Sequence, residues 1–191
     1  LPPCAKYIDV GGEALSQSVF NNLRRGDRVF QVYGPTEVTI YATRKRMSAA
    51  EAKFCGAIGS PKANLTCHIT EPGAQLQPIG VWGELWLGGV QVARGYLSRR
   101  EKTAESFVAQ PWADTDPSGR GVVYRTGDRV RWYADGEIEF GGRIDFQVKL
   151  RGHRIELGEI EDAALGCASV SEAAAVVHEI SERQQLVLYV A

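Results

Sequence analysis

The chain has 191 residues and a formal net charge of −1; 44% of it is hydrophobic, 24% is charged, and its mean hydropathy is −0.20. That is an ordinary composition for a globular chain long enough to bury a core, and the near-balanced charge leaves no electrostatic footprint for nucleic acid or an anionic membrane. The longest apolar runs, such as 173–177, are far too short to span a bilayer, and no export signal is seen, so the expected location is the cytoplasm.

In chain order, 6–10 is an apolar run stopped by Gly11-Gly12 and reads as a buried strand. Residues 16–23 carry Val19, Phe20 and Leu23 at helical spacing, and 28–33 is a second buried strand broken by Gly34-Pro35. Strand, helix, strand predicts a parallel pair. From 58 to 140 the texture changes to short runs (65–70, 83–87, 122–125, 129–133) parted by Gly, Pro and Asp, which predicts a mostly antiparallel barrel or sheet. Glu71-Pro72-Gly73 and Ala134-Asp135-Gly136 are turns, the second a hairpin. One helix, 98–107, interrupts the strands, with Ser98 as its expected cap and Glu101 as capping-box partner. After Gly141-Gly142 the pattern restarts: a strand at 146–150, a turn at Gly152, a helix from Glu159 to about Leu165, then strands at 173–178 and 186–190. Cys4, Cys55, Cys67 and Cys167 are too widely spaced for a zinc clamp and are expected to be free and mostly buried. Leu1 is not Met and 186–191 reads as strand interior, so the ends look excised.

The chemistry gathers in a few segments. Tyr33-Gly34-Pro35-Thr36-Glu37 is a strand end that presents a hydroxyl and a carboxylate where open α/β sheets bind ligands, and a lone glutamate there suits Mg²⁺. The same five residues would also serve as an ordinary proline turn. The 83–97 segment is glycine-rich but does not open a helix after a buried strand, which makes it a poor dinucleotide fingerprint. Tyr124-Arg125-Thr126-Gly127-Asp128 sets an acid after a glycine turn, suited to two ribose hydroxyls or to a plain Asx turn.

Taken in order, Gly11 to Leu15, Tyr33 to Glu37, Gly83 to Leu97, Tyr124 to Asp128 and Gly142 to Glu161 resemble the adenylation domains of nonribosomal peptide synthetases, within the adenylate-forming superfamily, over essentially the whole chain. The resemblance implies a mixed α/β fold: 1–143 as the C-terminal part of the large lobe, with a parallel segment and a barrel-like antiparallel part, and 144–191 as the start of the small lobe. It implies ATP-dependent activation of an amino acid as its adenylate and transfer to the phosphopantetheine thiol of a carrier protein, with ATP and Mg²⁺ as requirements. Tyr33 would stack on adenine, Thr36 reach the phosphates and Glu37 hold Mg²⁺. Asp128 would grip the ribose, with Phe140 and Arg143 beside it and Gly11, Gly12, Glu13 and Gly34 lining the nucleotide. Gln31 stands where the family usually has Asn against the adenine amine, and keeps the amide with one more methylene. Asp145 would be the hinge between lobes and Gly152 would face the pantetheine arm.

By the same resemblance Ile8, Val10, Val32, Ile40 and Tyr41 wall the amino-acid side chain. None is charged, and Val10 replaces a smaller residue, so the expected substrate is a medium aliphatic amino acid such as Ile, Val or Leu. The family's Ser/Thr/Gly-rich phosphate loop and its late catalytic lysine are not found in these 191 residues, so the isolated chain is expected to be inactive. Alternatives are a D-alanine–carrier ligase, an acyl-CoA ligase, or a non-catalytic scaffold that binds a partner such as a small MbtH-like protein.

Overall fold

The computed structural model describes residues 7–12, 28–47, 56–112, 118–145, 147–150, 153–180 and 183–191. The chain divides into two compact units, Leu1–Gly142 and Arg143–Ala191. The first is built on one sheet of β1 (Tyr7–Gly11), β2 (Arg28–Tyr33), β3 (Thr43–Met47), β4 (Ala57–Pro61), β5 (Leu65–Thr70), β6 (Gly83–Gly89), β7 (Phe107–Ala109), β8 (Val122–Trp132) and β9 (Ile138–Arg143). Their order is β1-β2-β3-β4-β9-β8-β6-β5, with β7 added on β8.

β1 and β2 are parallel, as the strand–helix–strand pattern predicts; the intervening helix expected at 16–23 lies outside the described residues. The remaining pairings with a resolved register are antiparallel, so the class is mixed α/β with a mostly antiparallel sheet. β2 is bordered on both edges and reads as a nearly continuous apolar run because both its faces are covered in part; Val29, Gln31, Val32 and Tyr33 are all buried.

The core lies on one face of β5, β6, β8 and the start of β9. Ile69, Leu85, Leu87, Tyr124, Val130 and Ile138 are fully or almost fully buried there, and Val38 and Ala42 close it from the loop after β2. Each such aliphatic side chain contributes about 1.5–3 kcal/mol of transfer free energy.

Two local expectations change. The runs 122–125 and 129–133 are one strand, β8, whose register against β6 slips between Glu84 and Trp86. Thr126-Gly127-Asp128 is therefore a bulge and not a break, with Gly127 at φ 69 supplying the left-handed residue. The helix near 98–107 is α1 (Arg100–Ser106), and Ser98 does not cap it: Ser98 is itself left-handed at φ 56, Arg99 is the N-cap, and no side chain bonds the cap. The hydroxyl of Thr103 instead donates to the Arg99 carbonyl at 2.7 Å.

The second unit holds a hairpin of β10 (Gln147–Leu150) and β11 (His153–Glu156), helix α2 (Leu157–Leu165), and a hairpin of β12 (Ala173–Ile180) and β13 (Arg183–Val190). The Ala175 amide donates to the Glu161 carboxylate at 2.8 Å, tying α2 to β12. Of the cysteines, Cys67 packs against the core and Cys167 is exposed, so the expectation of burial fails at Cys167; Cys4 and Cys55 lie outside the described residues.

Candidate functional site

The site grows from the carboxyl end of β2. After Tyr33 the chain turns through Gly34-Pro35 into one 3-10 turn, Thr36–Val38, and returns so that the Ala42 amide donates to the Tyr33 carbonyl at 2.7 Å. Gly34 is required here: a Cβ would collide with the Ile40 carbonyl and the Ala42 amide. Thr39 and Ile40 are both left-handed, at φ 54 and 70, which is strained for a β-branched residue. Three tethers hold the loop. Val38 is 0% exposed in the core, the Thr39 hydroxyl donates to the Gln91 carbonyl at 2.9 Å, and the Ala93 amide donates to the Glu37 carbonyl at 2.8 Å.

Facing this end is the β8 bulge. The Asp128 amide donates to Thr126 Oγ1 at 3.0 Å, the Thr126 hydroxyl donates to the Leu85 carbonyl at 2.8 Å, and the Gly127 amide donates to Glu84 Oε1 at 3.1 Å. These bonds turn Asp128 inward, where it is 5% exposed and accepts a hydrogen bond from the Tyr33 hydroxyl. Burial first, then the charge of Asp128, raises the Tyr33 phenol well above its ordinary value, so it remains a donor. The Phe140 ring lies 6.2 Å from that of Tyr33, centroid to centroid. Tyr33, Asp128 and Phe140, far apart in sequence, thus meet in one place.

Gln31 shares the Tyr33 face of β2 and is 4% exposed, and its Oε1 is buried with no hydrogen-bond partner among the described residues. Such an acceptor is costly unless something donates to it. Glu37 stands at the loop, half-buried, and accepts from the Tyr96 hydroxyl at 2.7 Å; Thr36 beside it is exposed. Among the described residues no group of three or more His, Cys, Asp or Glu could hold a metal by itself.

The pocket residues divide. The β1–β2 register puts Ile8 and Val10 on the face of Val29 and Gln31, where they pack with Val29 and Met47. Val32 lies on the opposite face beside Gly11, whose missing side chain accommodates it. Ile40 is 59% exposed and Tyr41 is exposed under Lys62, whose ammonium is 5.9 Å from the ring centre. Gly12 is exposed, at φ 92. Glu13 and Gly152 lie outside the described residues.

In the second unit Arg143 Nε donates to Asp145 at 2.7 Å, and the Gln147 amide donates to the same carboxylate at 3.1 Å. Burial raises the Asp145 carboxyl, but Arg143, the Gln147 amide and the charge of Arg154 outweigh it, leaving it below the ordinary carboxylate value. Sequence reasoning missed Gln147, a buried amide that donates to Glu156 and accepts from Arg154 Nε at 2.5 Å, and it missed Tyr96. An amide inside a strand gives no periodic signal.

Comparison with known proteins matches residues 2–97 to the family described as AMP-binding enzyme. The chain is 44% identical over 191 residues to bacitracin synthase 2 of Bacillus licheniformis, covering 99% of this chain and 7% of that protein. It therefore spans a small fraction of such relatives. An artificially fused adenylation–PCP di-domain from Klebsiella oxytoca superposes at TM-score 0.79 with 26% identity, over 97% of this chain and 34% of that one. A four-domain nonribosomal peptide synthetase solved with AMP and glycine superposes at TM-score 0.61 with 38% identity, over 95% of this chain and 14% of that one.

Proposed function

Because the chain belongs to the AMP-binding enzyme family, we propose that it is part of an enzyme that activates an amino acid with ATP and passes it to a carrier-protein thiol in nonribosomal peptide synthesis. The observation that carries this reading is the meeting of Tyr33, Asp128 and Phe140 beside the orphaned Gln31 acceptor. An adenine has what that site lacks: a π face for an aromatic wall and an exocyclic amine to donate to Gln31 Oε1. An ionised carboxylate has about four lone-pair sites, so Asp128 can keep the Tyr33 bond and still accept from ribose hydroxyls. Charge-assisted bonds of that kind are the strong ones.

Glu37 is a single hard carboxylate, which fits Mg²⁺ held in large part by substrate phosphates. Mg²⁺ held there would draw charge from the phosphates; in the reaction the amino-acid carboxylate attacks the α-phosphorus and the bond to pyrophosphate breaks. Thr36, exposed at the start of the 3-10 turn, can donate to a phosphate oxygen. In the second step a carrier thiol attacks the carbonyl carbon and AMP leaves. We assign 1–143 to the large lobe and 144–191 to the small one, with Asp145 as the hinge and Gly152 toward the carrier. The adenylation–PCP neighbour supports a carrier partner, and the need for ATP supports a cytoplasmic site. A medium aliphatic substrate rests on Ile8 and Val10, whose face is apolar around Val29 and Met47.

ATP–pyrophosphate exchange by the full-length protein across an amino-acid panel tests the reading. Exchange with Val, Ile or Leu is expected, and none from the 191 residues alone. Exchange with D-alanine alone, or acyl transfer to coenzyme A, would overturn it.

A further inference from the structure

We propose that Tyr96 is a positioning residue that aims the Glu37 carboxylate at its metal; the proposal rests on the reading of Glu37 as a Mg²⁺ ligand. The two residues are 59 apart in sequence, and the Tyr96 hydroxyl donates to Glu37 Oε1 at 2.7 Å. The same segment grips Glu37 a second time, through the Ala93 amide on its carbonyl at 2.8 Å. The glycine-rich stretch that fails as a dinucleotide fingerprint thus holds backbone and side chain of one acid.

Tyr96 is itself fixed. Its amide donates to Thr103 Oγ1 at 3.0 Å, and its ring meets Phe107 edge-on at 5.4 Å, with Phe107 in turn 5.0 Å from Tyr124. Gly95, at φ 137, lies so close to Thr103 that a Cβ would strike its methyl and hydroxyl. Helix α1, through Thr103, therefore sets where the phenol points.

The need is physical. Glu37 follows the loop's start and precedes two left-handed residues, and an unrestrained glutamate loses rotamer entropy when a metal fixes it. Mg²⁺ demands near-ideal octahedral geometry, so a wandering carboxylate binds it poorly.

The test uses the full-length protein with ATP, Mn²⁺ as the probe read by electron paramagnetic resonance, and Mg²⁺ titrations of pyrophosphate exchange. Tyr96→Phe is expected to weaken Mn²⁺ binding and raise half-saturating Mg²⁺ about tenfold, the low end of the loss of one hydrogen bond to a charged group. The unfolding midpoint and the ATP KM at saturating Mg²⁺ should hold. Glu37→Gln should reduce Mn²⁺ binding to that of ATP alone. If Glu37→Gln leaves Mn²⁺ binding intact, the metal reading fails; if it reduces binding to that level while folded Tyr96→Phe binds like wild type, only the Tyr96 proposal fails. Should Tyr96→Phe not fold, Thr103→Val, which removes the hydroxyl that receives the Tyr96 amide, carries the same test: weakened Mn²⁺ binding supports the positioning role and unchanged binding overturns it.

Discussion

The two faces of the β5–β6–β8 sheet are built on opposite rules. The inner face is aliphatic: Ile69, Leu85, Leu87 and Val130 are buried, and the polar groups admitted to it, Thr126, Asp128 and Tyr33, bond to one another or to backbone. The outer face carries Thr66, His68, Trp86 and Arg125, with Trp112 laid over them. Trp112 stacks on His68 at 4.5 Å and tilts on Trp86 at 5.6 Å, and the Arg125 guanidinium lies 5.3 Å from the Trp86 ring. There the Thr66 hydroxyl, His68 Nε2 and Trp86 Nε1 are buried without partners among the described residues. One face is held by close packing and satisfied polarity, the other by ring stacking that tolerates unsatisfied atoms. The proposed nucleotide site lies with the first, as a site that reads hydrogen bonds must hold its own donors and acceptors still.

The largest effect expected from this contrast is on the inner face. Leu87 is 0% exposed and central to the core, so Leu87→Ala should cost about 2–5 kcal/mol in urea unfolding. A loss below about 1 kcal/mol would mean that this face is not the closely packed one. Next comes Asp128→Asn, which keeps the shape but removes the charge from a buried acceptor. Nucleotide affinity should fall roughly ten- to hundredfold, the worth of one charge-assisted hydrogen bond, as read by calorimetry on the full-length protein. Unaltered affinity would detach the bulge from the nucleotide.

Much of this is legible in the sequence, and the misses have physical causes. β2 (Arg28–Tyr33) is found at its full length because a strand with both faces covered is apolar at nearly every position. β3 (Thr43–Met47) is not seen: Thr-Arg-Lys-Arg-Met hides its buried ends behind three cations, two of which, Arg44 and Lys45, pair with Asp9 and Glu137. β8 reads as two strands parted at Thr126-Gly127-Asp128 because a glycine inside a strand pattern fits an end as well as a bulge. Tyr96 on Glu37 and Tyr33 on Asp128 are contacts between residues 59 and 95 apart, which no local spacing encodes. Motif resemblance could point to Tyr33, Glu37 and Asp128, but that Ile8 and Val10 turn away from Val32 is a matter of register, which appears only once β1 and β2 are paired.

The smallest effect expected belongs to the outer face and concerns pH. Burial lowers the His68 imidazole below its ordinary value, so the folded state holds it neutral. An unfolded histidine titrates near about 6.5. Above that pH both states are neutral and His68 adds no pH dependence. Below it the unfolded chain takes up the proton first, so the stability present above about 6.5 is lost as pH falls toward the lower folded value. One proton limits the slope to about 1.4 kcal/mol per pH unit. The urea midpoint of the wild type should therefore drop more between about pH 7.5 and 5.5 than that of His68→Gln, with the Trp112 fluorescence as a local reporter of the stacked pair. Equal drops in the two proteins would show that the stacked imidazole does not resist its proton. The outer face would then be wetter than its unpartnered Nε2 and Trp86 Nε1 imply, and its contrast with the inner face would narrow to the aliphatic packing alone.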